Sequence, residues 1–230
     1  FRHDRKYVID TTCYHPSKFT HGANVASFSS KCNIIWHALY SHRRFWYRLA
    51  MFSRTPCPIK DCGRHVAHGQ HTCYLHCPDK KEVLDMVCSI MTVRELQHDI
   101  VLTDARFEHK DFSKAALATC RFSRCTFHDV DFSEARLNAC FFDFCLFEQC
   151  RFTHSNARLS VFSGATLLDC DFSDSMLVHT NFMGADARHT DFSSSDLYYS
   201  NFANSHLEHS QFIDCNVKNT DFRYSERIAV

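Results

Sequence analysis

The sequence predicts a mainly β, four-sided repeat solenoid behind a small helical head, and three observations carry that prediction. Every fifth residue from Leu102 to Phe222 is apolar, an unbroken series of 25 positions that holds 15 Phe, 7 Leu, 2 Ala and 1 Val. A period of five matches neither a helix at 3.6 nor a strand at 2, so the unit is a repeat. Sorted at every twentieth residue, the series separates by type. Positions 112, 132, 152, 172, 192 and 212 are all Phe, and the set from Leu117 to Val217 contains no Phe. Such sorting is expected where residues 20 apart stack in successive coils. The ends also differ in charge. Residues 1–100 carry 14 Lys+Arg against 8 Asp+Glu, and residues 101–230 carry 12 against 18, so a basic head precedes an acidic body.

Composition sets the outer limits. At 230 residues the chain has room for one large domain or two small ones. Only 5 Gly and 4 Pro argue against a linker-rich or disordered chain. Half of the 14 Cys (Cys120, Cys125, Cys140, Cys145, Cys150, Cys170 and Cys215) occupy the small slot that precedes each apolar centre by two residues. Cys is a small buried hydrophobe there and needs no partner, so a reducing compartment such as the cytoplasm is expected. Lys110 is the one misfit in that slot. No run of apolar residues is long enough for a membrane span. A start at Phe1 rather than Met points to a fragment, a processed form or a trimmed chain, with room for targeting information upstream.

Residues 1–56 form the basic, aromatic head. Within it, residues 33–52 read as a helix that sets Trp36, Tyr40, Arg43 and Tyr47 on one face. Packing on neighbours is the simpler role for that helix. Arg43, Arg44 and Arg48 with the nearby aromatics also make nucleic acid a partner the head could take.

Residues 57–77 read CPIKDCGRHVAHGQHTCYLHC. Cys57 and Cys62 are followed by Cys73 and His76, two close pairs of thiolate and imidazole ligands separated by a short loop, as a closed tetrahedral zinc site requires. The segment resembles the short zinc knuckles written C-x4-C…C-x2-H, which implies a structural Zn2+. The fourth ligand is open at this stage: His76, the adjacent Cys77, or one of His65, His68 and His71. Asp61 is the only carboxylate in the segment, which disfavours a catalytic metal.

Residues 78–100 are the connector. Asp79-Lys80-Lys81-Glu82 has the form of a capping box. Val83, Leu84, Met86, Val87, Ile90 and Met91 then describe an amphipathic helix. A solenoid exposes its core at its first coil, and this helix is expected to lie over that end.

Residues 101–227 are the body. Units such as Ala105-Arg106-Phe107, Cys170-Asp171-Phe172, Thr190-Asp191-Phe192, Ser195-Asp196-Leu197 and Thr220-Asp221-Phe222 resemble the A(D/N)Lxx pattern of the pentapeptide-repeat family. The resemblance implies a right-handed quadrilateral β-helix, one pentapeptide per side, here in about six coils. At a strand spacing of about 4.8 Å, six coils would span roughly 30 Å. Each buried Phe or Leu would contribute on the order of 2 kcal/mol, so the interior needs no functional role.

Function is therefore expected on outward positions. Naming each side by its first central residue, the adjacent 107 and 112 sides carry 13 acids against 4 bases on outward positions. The adjacent 102 and 117 sides are near neutral and display Phe141, Phe144, Leu159, Val161, Met176, Val178, Met183, Tyr198 and Tyr199. An apolar face of this kind marks a contact surface. The leading expectation is a non-enzymatic module that docks a protein partner there, with no small-molecule substrate. The resemblance also raises DNA mimicry toward a topoisomerase. About 30 Å of duplex would carry roughly 18 charges, twice the net charge of the acidic half, which ranks that alternative second. No nucleophile elbow, phosphate loop or HExxH is present.

Overall fold

The structure is a computed structural model, and it describes residues 55–230. The basic region and the helix expected over 33–52 lie outside the described residues. The body is a parallel β-solenoid of short strands, one small helix standing at its N-terminal side among the described residues.

Helix α1 spans Lys80–Met91. It starts where the capping box predicts: the Asp79 carboxylate accepts from the Glu82 N–H at 2.8 Å. Its buried face is Val83, Val87 and Met91, which belong to the same continuous core as Cys77 of the lobe and Ile100, Leu102 and Phe107 of the first coil. The strands are β1 Gln97–His98, β2 Arg106–Glu108, β3 Ala116–Ala118, β4 Thr126–His128 and β5 Arg136–Asn138, then β6 Leu146–Glu148, β7 Thr166–Leu168, β8 Asp186–Arg188, β9 His206–Glu208 and β10 Glu226–Ile228. Seven of them (β2, β4, β6, β7, β8, β9 and β10) form one parallel sheet, and β1, β3 and β5 form another. Partners are 20 residues apart throughout, for example Phe107 with Phe127 and Leu167 with Ala187. The other two sides continue as single bridges with the same offset, such as Phe141 with Val161 and Asp171 with Asp191.

The stack is longer than the six coils expected. It begins at β1, where Gln97 pairs with Leu117, inside the segment read from sequence as connector. It ends at β10, where Arg227 pairs with Leu207. Gln97 and Arg227 are polar, so the five-residue apolar series could not reveal them. About seven turns result.

Backbone conformation explains the corners. Two residues after each centre, nearly every unit turns through a positive φ, near 50–60° at Arg124, Phe144, Leu159, His179 and Tyr199. These non-glycine residues accept the left-handed conformation because each corner N–H donates to a carbonyl of the next coil, as Arg124 does to Asp143 at 2.9 Å.

The Phe columns stack as the 20-residue sorting requires. Phe152 and Phe172 lie 4.3 Å apart at 4°, and Phe162 and Phe182 lie 5.2 Å apart at 13°. Between columns the rings meet edge to face, as Phe152 and Phe162 do at 88°. Both geometries are favourable for aromatic pairs.

The small inward slots do more than fill space. Cys125 donates to the Leu102 carbonyl at 3.3 Å, Cys145 to Phe122 at 2.9 Å and Thr180 to Ala157 at 2.9 Å. Ser160 does the same toward Leu137. The slot mostly takes a small side chain with an S–H or O–H donor, and Ala or Val130 where none is supplied.

Candidate metal centre and apolar face

The residues before α1 form a small lobe built from two turns. Thr55–Cys57 and Arg64–Val66 run antiparallel: Cys57 N–H donates to Arg64 O at 2.7 Å and Val66 N–H to Thr55 O at 2.9 Å. The chain reverses between them through Asp61 and Gly63, both with positive φ. Cys62 therefore returns toward Cys57. In the second turn, Cys73 is extended and a 3₁₀ turn over Tyr74–His76 follows, with His76 N–H donating to Cys73 O at 2.9 Å. That turn carries the His76 ring back over Cys73.

The result is a four-atom cluster. The ligand atoms of Cys57, Cys62, Cys73 and His76 all lie within 4.8 Å of one another. Cys62 Sγ is 3.6 Å from Cys73 Sγ, and His76 Nδ1 is 3.5 Å from Cys57 Sγ and 3.3 Å from Cys73 Sγ. A tetrahedral ion with arms of about 2.3 Å to sulfur and about 2.0 Å to nitrogen needs edges of roughly 3.5–3.8 Å, so these residues fit one. A sulfur separation of 3.6 Å is also far too long for a disulfide. Burial raises the Cys57 thiol, but the Cys73 N–H, the Ile59 backbone and His76 outweigh it and hold its pKa at about 6. Burial pushes the Cys73 thiol up.

Among the ligands left open by the sequence, the structure brings in His76. Cys77 turns the other way: its thiol donates to the Cys73 carbonyl at 3.3 Å and packs in the core beside α1. His65, His68 and His71 are outside the cluster. The lobe is tied to the first coil by an ion pair that spacing could not reveal. Arg64 Nε lies 3.1 Å from Asp104 Oδ2, and Arg124 grips the same carboxylate at 2.8 and 3.0 Å. Burial opposes ionisation of Asp104, but Arg124, Thr103 and Arg64 hold its carboxyl below the usual range. His68 N–H adds a bond to Val101 O at 2.7 Å.

On the 102 and 117 sides, Phe144, Leu159, Met176, Met183 and Tyr199 are exposed, Phe144 by 65% and Leu159 by 60%. Phe141, Val161, Val178 and Tyr198 are half-buried. Phe141 lies under the Arg121 guanidinium at 4.5 Å. Three features went unread in the sequence. Gly164 is what lets Phe144 lie flat, since a Cβ there would sit 2.6 Å from its ring. Gly184, one coil on, has the same left-handed φ and open space above it. His179 stacks on Tyr199 at 5.2 Å and meets Tyr198 edge-on, so the three form one aromatic group.

The acidic sides carry an open cleft lined by His109, Lys110, Asp111, Asp129, Asp131 and Arg151. Its groups engage one another: His109 Nδ1 is 2.9 Å from Asp129 and Arg151 is 2.9 Å from Asp131. Among the described residues, no helix is long and apolar enough to cross a membrane.

The chain is similar to known proteins over its coils. A family model described as pentapeptide repeats matches in 8 copies over residues 101–138, 140–175, 167–198 and 190–225. Among solved structures, a pentapeptide repeat protein from the Arabidopsis thaliana thylakoid lumen is 22% identical over 40% of this chain and 60% of its own, with a TM-score of 0.26. HetL, a pentapeptide repeat protein involved in heterocyst differentiation regulation in the cyanobacterium Nostoc, is 11% identical over 63% of this chain and 93% of its own, with a TM-score of 0.29. QnrB1, a plasmid-mediated fluoroquinolone resistance protein, is 11% identical over 56% and 90%, with a TM-score of 0.26. No curated protein matches the chain. The model match extends over more than half the sequence, in register with the stacked columns, and the chain belongs to the pentapeptide repeat family.

Proposed function

We propose that this protein is a non-enzymatic docking module, whose coils hold a protein partner on the 102 and 117 sides and whose N-terminal lobe is closed by a structural Zn2+. The observation that carries the docking reading is the set of large apolar side chains standing exposed on those two sides, led by Phe144 and Leu159. The coil interior is already filled by stacked Phe, so these residues add nothing to the core, and exposing them has a cost in water. The zinc reading rests on the edges of the Cys57, Cys62, Cys73 and His76 cluster. Zinc there would lock two turns that have little apolar core of their own.

Two measurements test the reading. Affinity capture with the wild-type chain should retain a protein partner that the triple variant Phe144→Ser, Leu159→Ser and Tyr199→Ser loses, while its melting temperature is unchanged. Equal capture by both would end the docking proposal. Elemental analysis should find about one zinc per chain, and less than half an equivalent would end the metal proposal.

A further inference from the structure

We infer that the partner segment docking on the 117 side is an acidic, apolar peptide, read there by two cations that make no ion pair among the described residues. This rests on the docking reading above and specifies the chemistry of its ligand. The contrast lies between neighbouring sides. On the 102 side the three outward cations are all paired: Arg121 with Asp143 at 3.7 Å, Arg124 with Asp104 at 2.8 Å and Arg223 with Asp221 at 2.7 Å. On the 117 side, Arg136, Arg158 and Lys218 are exposed and make no ion pair among the described residues. The carboxylates of that side are engaged elsewhere. Asp99 accepts from Thr119 at 2.8 Å, and Asp196 accepts from Asn216 at 2.8 Å and from the Tyr198 N–H at 3.2 Å.

Register places the cations around the apolar residues. Positions 158, 178, 198 and 218 follow one another at 20-residue steps, so a single column reads Arg158, Val178, Tyr198, Lys218. Beside it run Leu159, His179 and Tyr199 at the corner. Three coil steps of about 4.8 Å separate Arg158 from Lys218 by roughly 14 Å. An extended peptide rises about 3.3 Å per residue, so two carboxylates four residues apart, with apolar side chains between them, match both cations and the surface they bracket. Charges at such a rim select partners and register by complementarity.

A single-stranded nucleic acid is the competing occupant, because cations and stacked aromatics also suit it. The observations favour the peptide. Residues 101–230 carry 12 Lys+Arg against 18 Asp+Glu, so a polyanion would approach against an acidic body. The column between the cations includes an aliphatic residue, Val178, with Leu159 next to it, and neither offers a stacking plane.

The test is selection of a random-peptide display library on the full-length chain, followed by fluorescence anisotropy of an enriched peptide. Enriched peptides should carry two acidic residues about four apart with apolar residues between. The exposed double reversal Arg158→Glu and Lys218→Glu should weaken their binding about tenfold, with the melting temperature unchanged. Replacing the peptide's acids by Lys should restore affinity to the reversed variant. Neutral or basic enriched peptides, or affinity indifferent to the reversal, would overturn the inference. So would fluorescein-labelled oligothymidylate binding in a manner the reversal abolishes. If enriched neutral peptides are lost with Leu159→Ser yet ignore the reversal, docking stands and only the charge inference falls. If nothing enriches, both fall.

Discussion

Cys73 and Cys145 are equally buried, yet they belong to different chemistries. Cys73 sits 3.6 Å from a second sulfur and 3.3 Å from an imidazole nitrogen. Cys145 donates to the Phe122 carbonyl at 2.9 Å, and burial drives its pKa well above the ordinary value. The lobe and the coils thus use one residue type in two ways. In the lobe, tight turns converge sulfurs that a metal can bridge. In the coils, a 20-residue period sets thiols such as Cys125, Cys145 and Cys215 against a carbonyl of the preceding coil, a bond that Ser or Thr makes at equivalent slots. Burial alone does not decide what a cysteine does; the direction the backbone gives its Sγ does.

The widest separation between the two regions should come from metal removal. Structural zinc in small knuckles contributes on the order of 10 kcal/mol to folding, while a core built on columns of up to six stacked Phe needs no ion. Cys73→Ser, or a strong chelator, should therefore unfold the lobe and leave the coils intact. Hydrogen exchange should show loss of protection over 55–77 and retention over 121–210. Simultaneous loss in both would mean that the coils depend on the metal.

The junction is the next place to press. Asp104→Asn removes the carboxylate shared by Arg64 and Arg124 and should cost about 1.5–3 kcal/mol, the usual worth of a hydrogen bond to a charged group. The pH dependence has a definite sign. The folded carboxyl is held below its ordinary value, so its contribution is complete above the ordinary carboxylate pKa and is lost as pH falls through the folded value. Acid should loosen the lobe from the first coil in the wild type and have less effect in the variant. Melting curves from pH 6 to pH 3 would read this. A variant as acid-sensitive as the wild type would remove Asp104 from the junction.

How much of this was legible in the chain depends on whether a feature repeats. Phe112 through Phe212 announced their column because the interval is constant, and the sides followed from it. Gln97 and Arg227 carried no apolar residue in register, so the first and last rungs were invisible. His76 and Cys77 are adjacent in sequence, and only the 3₁₀ turn decides that one faces the sulfurs and the other the core. Arg64 and Asp104 meet across 40 residues, a distance that no local pattern encodes. The convergence of Cys57, Cys62, Cys73 and His76 was readable because they stand in two closely spaced pairs. Gly164 went unread, since its role beside the Phe144 ring depends on the neighbouring coil.

The smallest effect is the sharpest check on the cysteine comparison. Cys145→Ser swaps one donor to the Phe122 carbonyl for another, in the kind of slot that Ser160 and Thr180 fill on another side of the coil. The change should stay within about 1 kcal/mol, because the hydrogen bond survives and the volume shrinks only slightly. Native-state alkylation carries the same logic without mutation. Cys57, with its pKa held at about 6, is largely thiolate at neutral pH and should alkylate quickly once metal is stripped, since the thiolate is the nucleophile. Cys125, pushed up to about 12 and fully enclosed, should stay unlabelled until the coils unfold. Peptide mapping by mass spectrometry after a short iodoacetamide pulse separates the two. Labelling of Cys125 at the rate of Cys57 would mean that the coil slots open under native conditions, and the contrast between lobe and coil would then be one of dynamics instead of geometry.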